Sequence, residues 1–217
     1  FQAEDGIRAQ PRSRGLGDGY KRQAGSAAAA FVLSKRSENS IATIEASTSY
    51  ITDTGDFWRR QGESFPKHLS RFTGGPGYFH HVESSVNILL KEINAQPEDF
   101  KYVVFHQPNP KFPVEVARRL GFTRDQIDTG LLNPEIGNPY SASSPLGLVA
   151  ILDVAMPGDK ILLASFGSGA GSDAFSLIVD DNIVEKRKNS IPLRKQLNDN
   201  VEINYGTYAK IRGILDR

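Results

Sequence analysis

An α/β fold built on a layered sheet is the class this sequence predicts, and three observations predict it. Short apolar runs, above all Tyr102–Phe105 (YVVF), alternate along the chain with segments of helical spacing. The apolar runs lack polar alternation, as expected of strands covered on both faces. Proline starts and glycine or proline stops bracket the segments between them. Of the 217 residues, 39% are hydrophobic and 24% charged, a profile suited to a packed core. A net charge of +1 gives no overall field that would drive binding to nucleic acid or an anionic membrane. No apolar run approaches the roughly 18 residues of a membrane span. The chain has no cysteine, which removes disulfides, thiolate metal ligands and a cysteine nucleophile, and fits a cytoplasmic setting.

Taken in order, residues 1–23 (FQAEDGIRAQPRSRGLGDGYKRQ) show neither strand nor helix period. They resemble a translated sequencing-adapter string and are read as an artefact or a disordered arm. A domain is expected over residues 24–180 and a charged extension over 181–217. Ala24–Ser34 is small and apolar, Ile41–Thr52 is β-branched, and the two read as adjoining strands. Residues 53–77 hold many glycines, prolines, aromatics and bases, and a long ordered loop of that kind is a functional candidate.

From Tyr78 to Ile93, Phe79, Val82, Val86, Leu89, Leu90 and Ile93 recur at helical spacing. Pro97-Glu98-Asp99 reads as a turn and Tyr102–Phe105 as a central strand. Pro113 starts a helix that runs to Leu120 and stops at Gly121. Pro145 starts another, stopped by Pro157-Gly158, with Ser144 as its expected cap. Lys160–Phe166 and Ala174–Val179 read as two strands around a glycine-rich corner. One apolar-aromatic patch, Ile203–Ile211, stands in the charged tail.

Three places can carry chemistry. His106 follows the YVVF strand directly, where α/β sheets bind ligands, and Pro108 and Pro110 stiffen its loop; a histidine that merely caps the strand end is the structural alternative. Asn138 lies upstream of any helix cap in GNPYSASSP, and its amide can serve a carbonyl or a water beside a histidine. The run SFGSGAGSD, with Ser168, has neither dinucleotide-loop nor P-loop spacing, and a strand follows it. It reads as a tight corner that lets backbone approach a ligand, with a plain hairpin as the alternative. His80, His81 and Glu83 read as surface residues ahead of metal ligands. The bases Arg59, Arg60, Lys67, His68 and Arg71 read by charge alone as a solvated face.

The segments GDFWRRQGESFPKHLSRFTGGPGYFHHV, VVFHQPNPKFP, GNPYSASSPLGL, ILLASFGSGAGSDAFSLIV and NYGTYAKIRGIL, in that order, resemble the archaeal-type hydroxymethylglutaryl-CoA synthases of the thiolase superfamily. The resemblance runs from about Ala24 to the end. It implies a thiolase-like fold of two similar halves stacked α-β-α-β-α, with this chain as the C-terminal half. The acylated cysteine and the acid/base glutamate of the family would lie in the other half. It implies condensation of acetyl-CoA with acetoacetyl-CoA, in the mevalonate route to isoprenoids, with coenzyme A thioesters as substrates and neither cofactor nor metal.

Position by position, the resemblance makes His106 the residue that holds and polarises the acetoacetyl group. Asn138, Ser168 and Thr73 become acyl-contacting residues, and Arg71 and Lys111 coenzyme A contacts, which turns the basic loop into a substrate wall. Glu115, Pro110 and Pro139 depart from the family pattern, where a base, glycine and threonine are expected. The resemblance further implies a homo-oligomer and association with an acetoacetyl-CoA thiolase through an OB-fold, zinc-ribbon partner. Two other readings stand beside it. One is a type III β-ketoacyl-ACP synthase-like enzyme, for which the 32-position spacing of His106 and Asn138 also fits. The FWRR…FTGGPGYF loop and TYAKIRG tail favour the first family. The other is a non-catalytic scaffold subunit, against which the joint presence of His106, Asn138 and Ser168 argues.

Overall fold

The computed structural model describes residues 25–35, 37, 39–55, 57–58, 60–62, 67–68, 73–167 and 169–211. The reading of residues 1–23 and the positions Arg59, Arg71 and Ser168 lie outside the described residues. In chain order come β1 (Ala42–Ile51), the short pair β2 (Phe57–Trp58) and β3 (Lys67–His68), and a wide helical turn Thr73–Phe79 that leads into α1 (His80–Glu92). Next are β4 (Tyr102–Phe105), α2 (Lys111–Arg119), α3 (Arg124–Asp128), α4 (Asn133–Ile136) and α5 (Ser143–Leu152). The chain continues with β5 (Lys160–Ala164), β6 (Gly171–Val179), α6 (Ile183–Arg187), α7 (Leu193–Asn198) and α8 (Tyr205–Ile211).

Four strands form one mixed sheet in the order β1-β6-β5-β4. β4, expected as a central strand, stands at the edge of the sheet among the described residues, paired parallel with β5, while β5–β6 and β6–β1 are antiparallel. Strand geometry sends successive side chains to opposite faces, and the core divides accordingly. Val103, Phe105, Leu162 and Ala164 pack with α1, α2 and α3 on one face. Val104, Ile161 and Leu163 pack with α5 on the other. Helix α5 is then covered on its outer side by Leu193 of α7, which meets Leu132, Leu146 and Ala150. A helix buried on both sides has no polar face to show, which accounts for the run LGLVAIL.

Three further expectations need correction. Residues 25–34 form no strand. They run as an extended strap against α4 and α5: the Gly25 amide donates to the Asn138 carbonyl at 2.8 Å, and Ala27 and Ala29 pack beside Leu132 and Leu146. The strap lies so close that a Cβ on Gly25 would stand 2.0 Å from the Ile136 carbonyl oxygen. β1 pairs instead with β6, opened by an irregularity between Ile44 and Ala46.

Ser144 does not cap α5. That helix begins at Ser143, two residues before Pro145, which the first turn tolerates because its amide there lacks an intrahelical acceptor. Finally, His81 is no surface residue. It is fully buried, with Nδ1 against the Gly77 carbonyl and Nε2 against Thr52 Oγ1, both at 2.7 Å. Two partners satisfy both ring nitrogens, so this histidine is a core residue of the α1–β1 contact. No helix among the described residues is long and apolar enough to cross a membrane.

Candidate active site

β4 and β5 run side by side, and their carboxyl ends open at one edge of the sheet. The His106 amide extends the ladder by one bond, donating to the Ala164 carbonyl at 2.9 Å. The His106 carbonyl accepts the Tyr78 hydroxyl at 2.7 Å, so the strand end is tied to the turn before α1. Its ring lies beside Phe166, with centroids 6.3 Å apart, and beside Tyr78 at 6.5 Å. Part of the residue stays exposed, yet the aromatic surroundings strip water from the ring. Burial disfavours the imidazolium and lowers the His106 pKa to about 4. At neutral pH the ring is therefore uncharged, with one N–H to donate and one nitrogen to accept.

Gln107 follows and is only 1% exposed. Its Nε2 donates to the Gly130 carbonyl at 2.6 Å, and its Oε1 accepts the Leu132 and Asn133 amides, each at 2.9 Å. Its own amide donates to Ser143 Oγ at 2.9 Å, and its carbonyl accepts Asn133 Nδ2 at 2.9 Å. Gly147 of α5 makes room for this cluster. A Cβ there would fall 2.4 Å from Val104 Cγ2 and 2.9 Å from the Gly130 oxygen.

Asn138 sits in the loop between α4 and α5. Its Oδ1 accepts the Tyr140 amide at 2.8 Å, an Asx-turn that holds Tyr140 at φ +55°. The turn uses the oxygen end of the side chain and leaves the NH2 end to face other chemistry. The glycine corner closes by reciprocal main-chain bonds between Gly167 and Gly171, with Gly169 at φ +91° and Ala170 at φ +51°. Its root is anchored below: Ser172 Oγ donates to the Ser165 carbonyl at 2.6 Å and meets Ser85 Oγ of α1 at 2.8 Å.

Thr73 opens the wide turn, half-buried, and Lys111 opens α2, exposed. Asn109 Oδ1 caps α2 by accepting the Lys111 and Phe112 amides at 2.9 and 3.0 Å. Phe112 then bridges to the turn, its ring 5.1 Å from Tyr78 and 4.9 Å from Phe79. Glu115, one turn on, is held by Arg118 (Nε 3.0 Å) and Arg119 (Nε 2.8 Å). Those hydrogen bonds lower its carboxyl to about 2, so its charge is spent on its own helix.

Four segments thus meet at one sheet edge. The His106 strand end touches the Thr73 turn through Tyr78, the corner through Phe166 and the Asn138 loop through Ser143. Gln107, Tyr78, Phe166 and Ser143, which do the joining, were not picked out from sequence. Only the polar Gln107, two residues past an apolar strand, carries a signal.

The sequence model described as 3-Oxoacyl-[acyl-carrier-protein (ACP)] synthase III C terminal matches residues 90–178. The chain is 55% identical over 199 residues to a hydroxymethylglutaryl-CoA synthase of Aeropyrum pernix, covering 92% of this chain and 55% of that protein. It is 50% identical over 196 residues to the Pyrococcus horikoshii protein of the same name, covering 90% and 56%. The chain therefore spans about 55% of the length of these relatives. Among solved structures it resembles an HMG-CoA synthase complexed with CoA (TM-score 0.66, 22% identity, 78% of this chain and 47% of that one). It also resembles the type III synthase of Pseudomonas aeruginosa PAO1 (TM-score 0.56, 19% identity, 64% and 46%). Both show the thiolase-like fold.

Proposed function

Because the chain is a homologue of hydroxymethylglutaryl-CoA synthases across nine-tenths of its length, we propose that it forms the acetoacetyl-holding side of such an enzyme's active site. The observation that carries this reading is the neutral, aromatic-walled His106 at the end of β4, where three other loops converge. A substrate ketone set against the ring would accept its N–H. As the acetyl carbon adds to that ketone, negative charge grows on the oxygen, and a donor already aimed there stabilises it without reorganising. A ring whose pKa burial lowers to about 4 keeps one form, with a single N–H to donate, throughout neutral pH.

The Asn138 NH2 and Ser168 would hold the rest of the acyl group, with Thr73 beside them. Lys111 and Arg71 would meet the phosphates of coenzyme A, where fixed cations serve best. The structure of a similar protein carries 3-hydroxy-3-methylglutaryl coenzyme A, which supports a coenzyme A thioester as ligand here. Glu115, locked by two arginines, presents little free charge to an anionic acyl chain. The acylated cysteine would come from the part of the relatives that this chain does not span, since the chain holds none. A homo-oligomer and a thiolase bridged by an OB-fold partner belong to the same proposal, as does a place in isoprenoid synthesis.

The test is a chimaera in which the unmatched part of the Aeropyrum pernix relative precedes Gly25. With acetyl-CoA and acetoacetyl-CoA it should release coenzyme A and form hydroxymethylglutaryl-CoA, while the chain alone forms none. An inactive but folded chimaera, or turnover by the chain alone, would count against the proposal.

A further inference from the structure

We infer that Gln107 is a positioning residue that sets the separation between the His106 and Asn138 loops, by stapling both ends of the 133–143 stretch to the residue next to His106. The inference rests on the functional reading above for the meaning of that separation, though not for its geometry. Five hydrogen bonds define it. Oε1 takes the Leu132 and Asn133 amides, and the Gln107 carbonyl takes Asn133 Nδ2, which fixes the start of the stretch. The Gln107 amide reaches Ser143 Oγ, which fixes its end. Nε2 holds the Gly130 carbonyl just upstream. Asn138 hangs between these two fixed points, and His106 is covalently attached to the residue that makes them.

The side chain must be an amide of this length. A carboxylate offers no donor to Gly130, and an apolar chain leaves the Gly130 oxygen and the Leu132 and Asn133 amides buried without partners. With every polar heavy atom of Gln107 engaged, the two loops move as one body or not at all. Those atoms are all taken up by the protein itself, so the residue acts through His106 and Asn138.

The experiment is NMR on the chain itself, comparing wild type, Gln107→Met and Ser143→Ala. It reads amide hydrogen exchange and the titration of the His106 ring. In Gln107→Met, exchange at Leu132, Asn133 and Tyr140 should quicken by at least about tenfold while Val103 and Leu162 in the sheet stay protected. The His106 titration should move up from about 4 as water reaches the ring. In Ser143→Ala the Gln107 amide, which loses its acceptor, and Tyr140 should quicken while Leu132 and Asn133 stay protected. A purely stabilising role would instead lower protection in sheet and loop together and leave the His106 titration in place, which overturns the inference. Where Gln107→Met does not fold, Ser143→Ala decides: unchanged exchange at Tyr140 overturns it. An inactive chimaera would sink the functional reading and leave these measurements untouched.

Discussion

The Tyr78 hydroxyl donates to the main-chain carbonyl of His106 at 2.7 Å, joining the turn before α1 to the end of β4. The tie is buried: Tyr78 is 1% exposed, and burial raises its phenol well above the ordinary value, so the hydroxyl keeps its proton to donate. Tyr78→Phe preserves the packing against Phe79, Phe112 and Phe166 and deletes only the donor. It should cost about 1–2 kcal/mol, read by urea denaturation, because the His106 carbonyl loses its partner. A cost near zero would mean that the bond does not hold the strand end.

His106 makes stability depend on pH with a definite sign. Its folded pKa, about 4, lies below the unfolded value of 6.5, so between those values the unfolded chain binds more protons. Unfolding free energy should thus fall as pH drops from 6.5 to 4 and level off from this source below 4. The loss is on the order of 3 kcal/mol. Glu115 adds a second acid loss at lower pH, since its stabilising pairs are complete above 4.5 and vanish as the carboxyl protonates near 2. His106→Gln should flatten the upper window and leave the lower one; equal slopes in both proteins above pH 4 would contradict the burial of the ring.

Gly147→Ala tests the close approach beneath the site. The added methyl would sit 2.4 Å from Val104 Cγ2 and 2.9 Å from the Gly130 oxygen, so α5 or β4 must shift. Overpacking of this kind costs about 1–3 kcal/mol, measurable by thermal denaturation. A variant as stable as the parent would show that α5 has slack.

How far these features could be read from sequence depends on where each residue's partners lie. β4 was legible because YVVF is apolar at every position, which only a strand covered on both faces requires. The place of His106 followed from it. α1 was legible for the same reason in helical period, since Val82, Val86, Leu89 and Leu90 lie on its buried face, continued back by Phe79 of the preceding turn. Residues 25–34 misled because small apolar side chains suit a strap on a helix as well as a strand, and the decision lay with Ile136 and Asn138, a hundred positions away.

His81 misled for a related reason. A polar residue on a buried helix face reads as exposed unless its distant partner, here Thr52, is known. The joining role of Gln107 is not legible in the sequence, because nothing local shows that Gly130, Asn133 and Ser143 converge on it. Long-range polar pairing, more than secondary structure, was what the sequence concealed.

The measurement that bears most directly on the account is the turnover of the chimaera with His106 replaced by alanine. If the imidazole N–H stabilises charge growing on the ketone, kcat for coenzyme A release should fall by about 100-fold or more while the fold, checked by circular dichroism, is kept. A folded His106→Ala chimaera that turns over at the parent rate would contradict the role given to this residue.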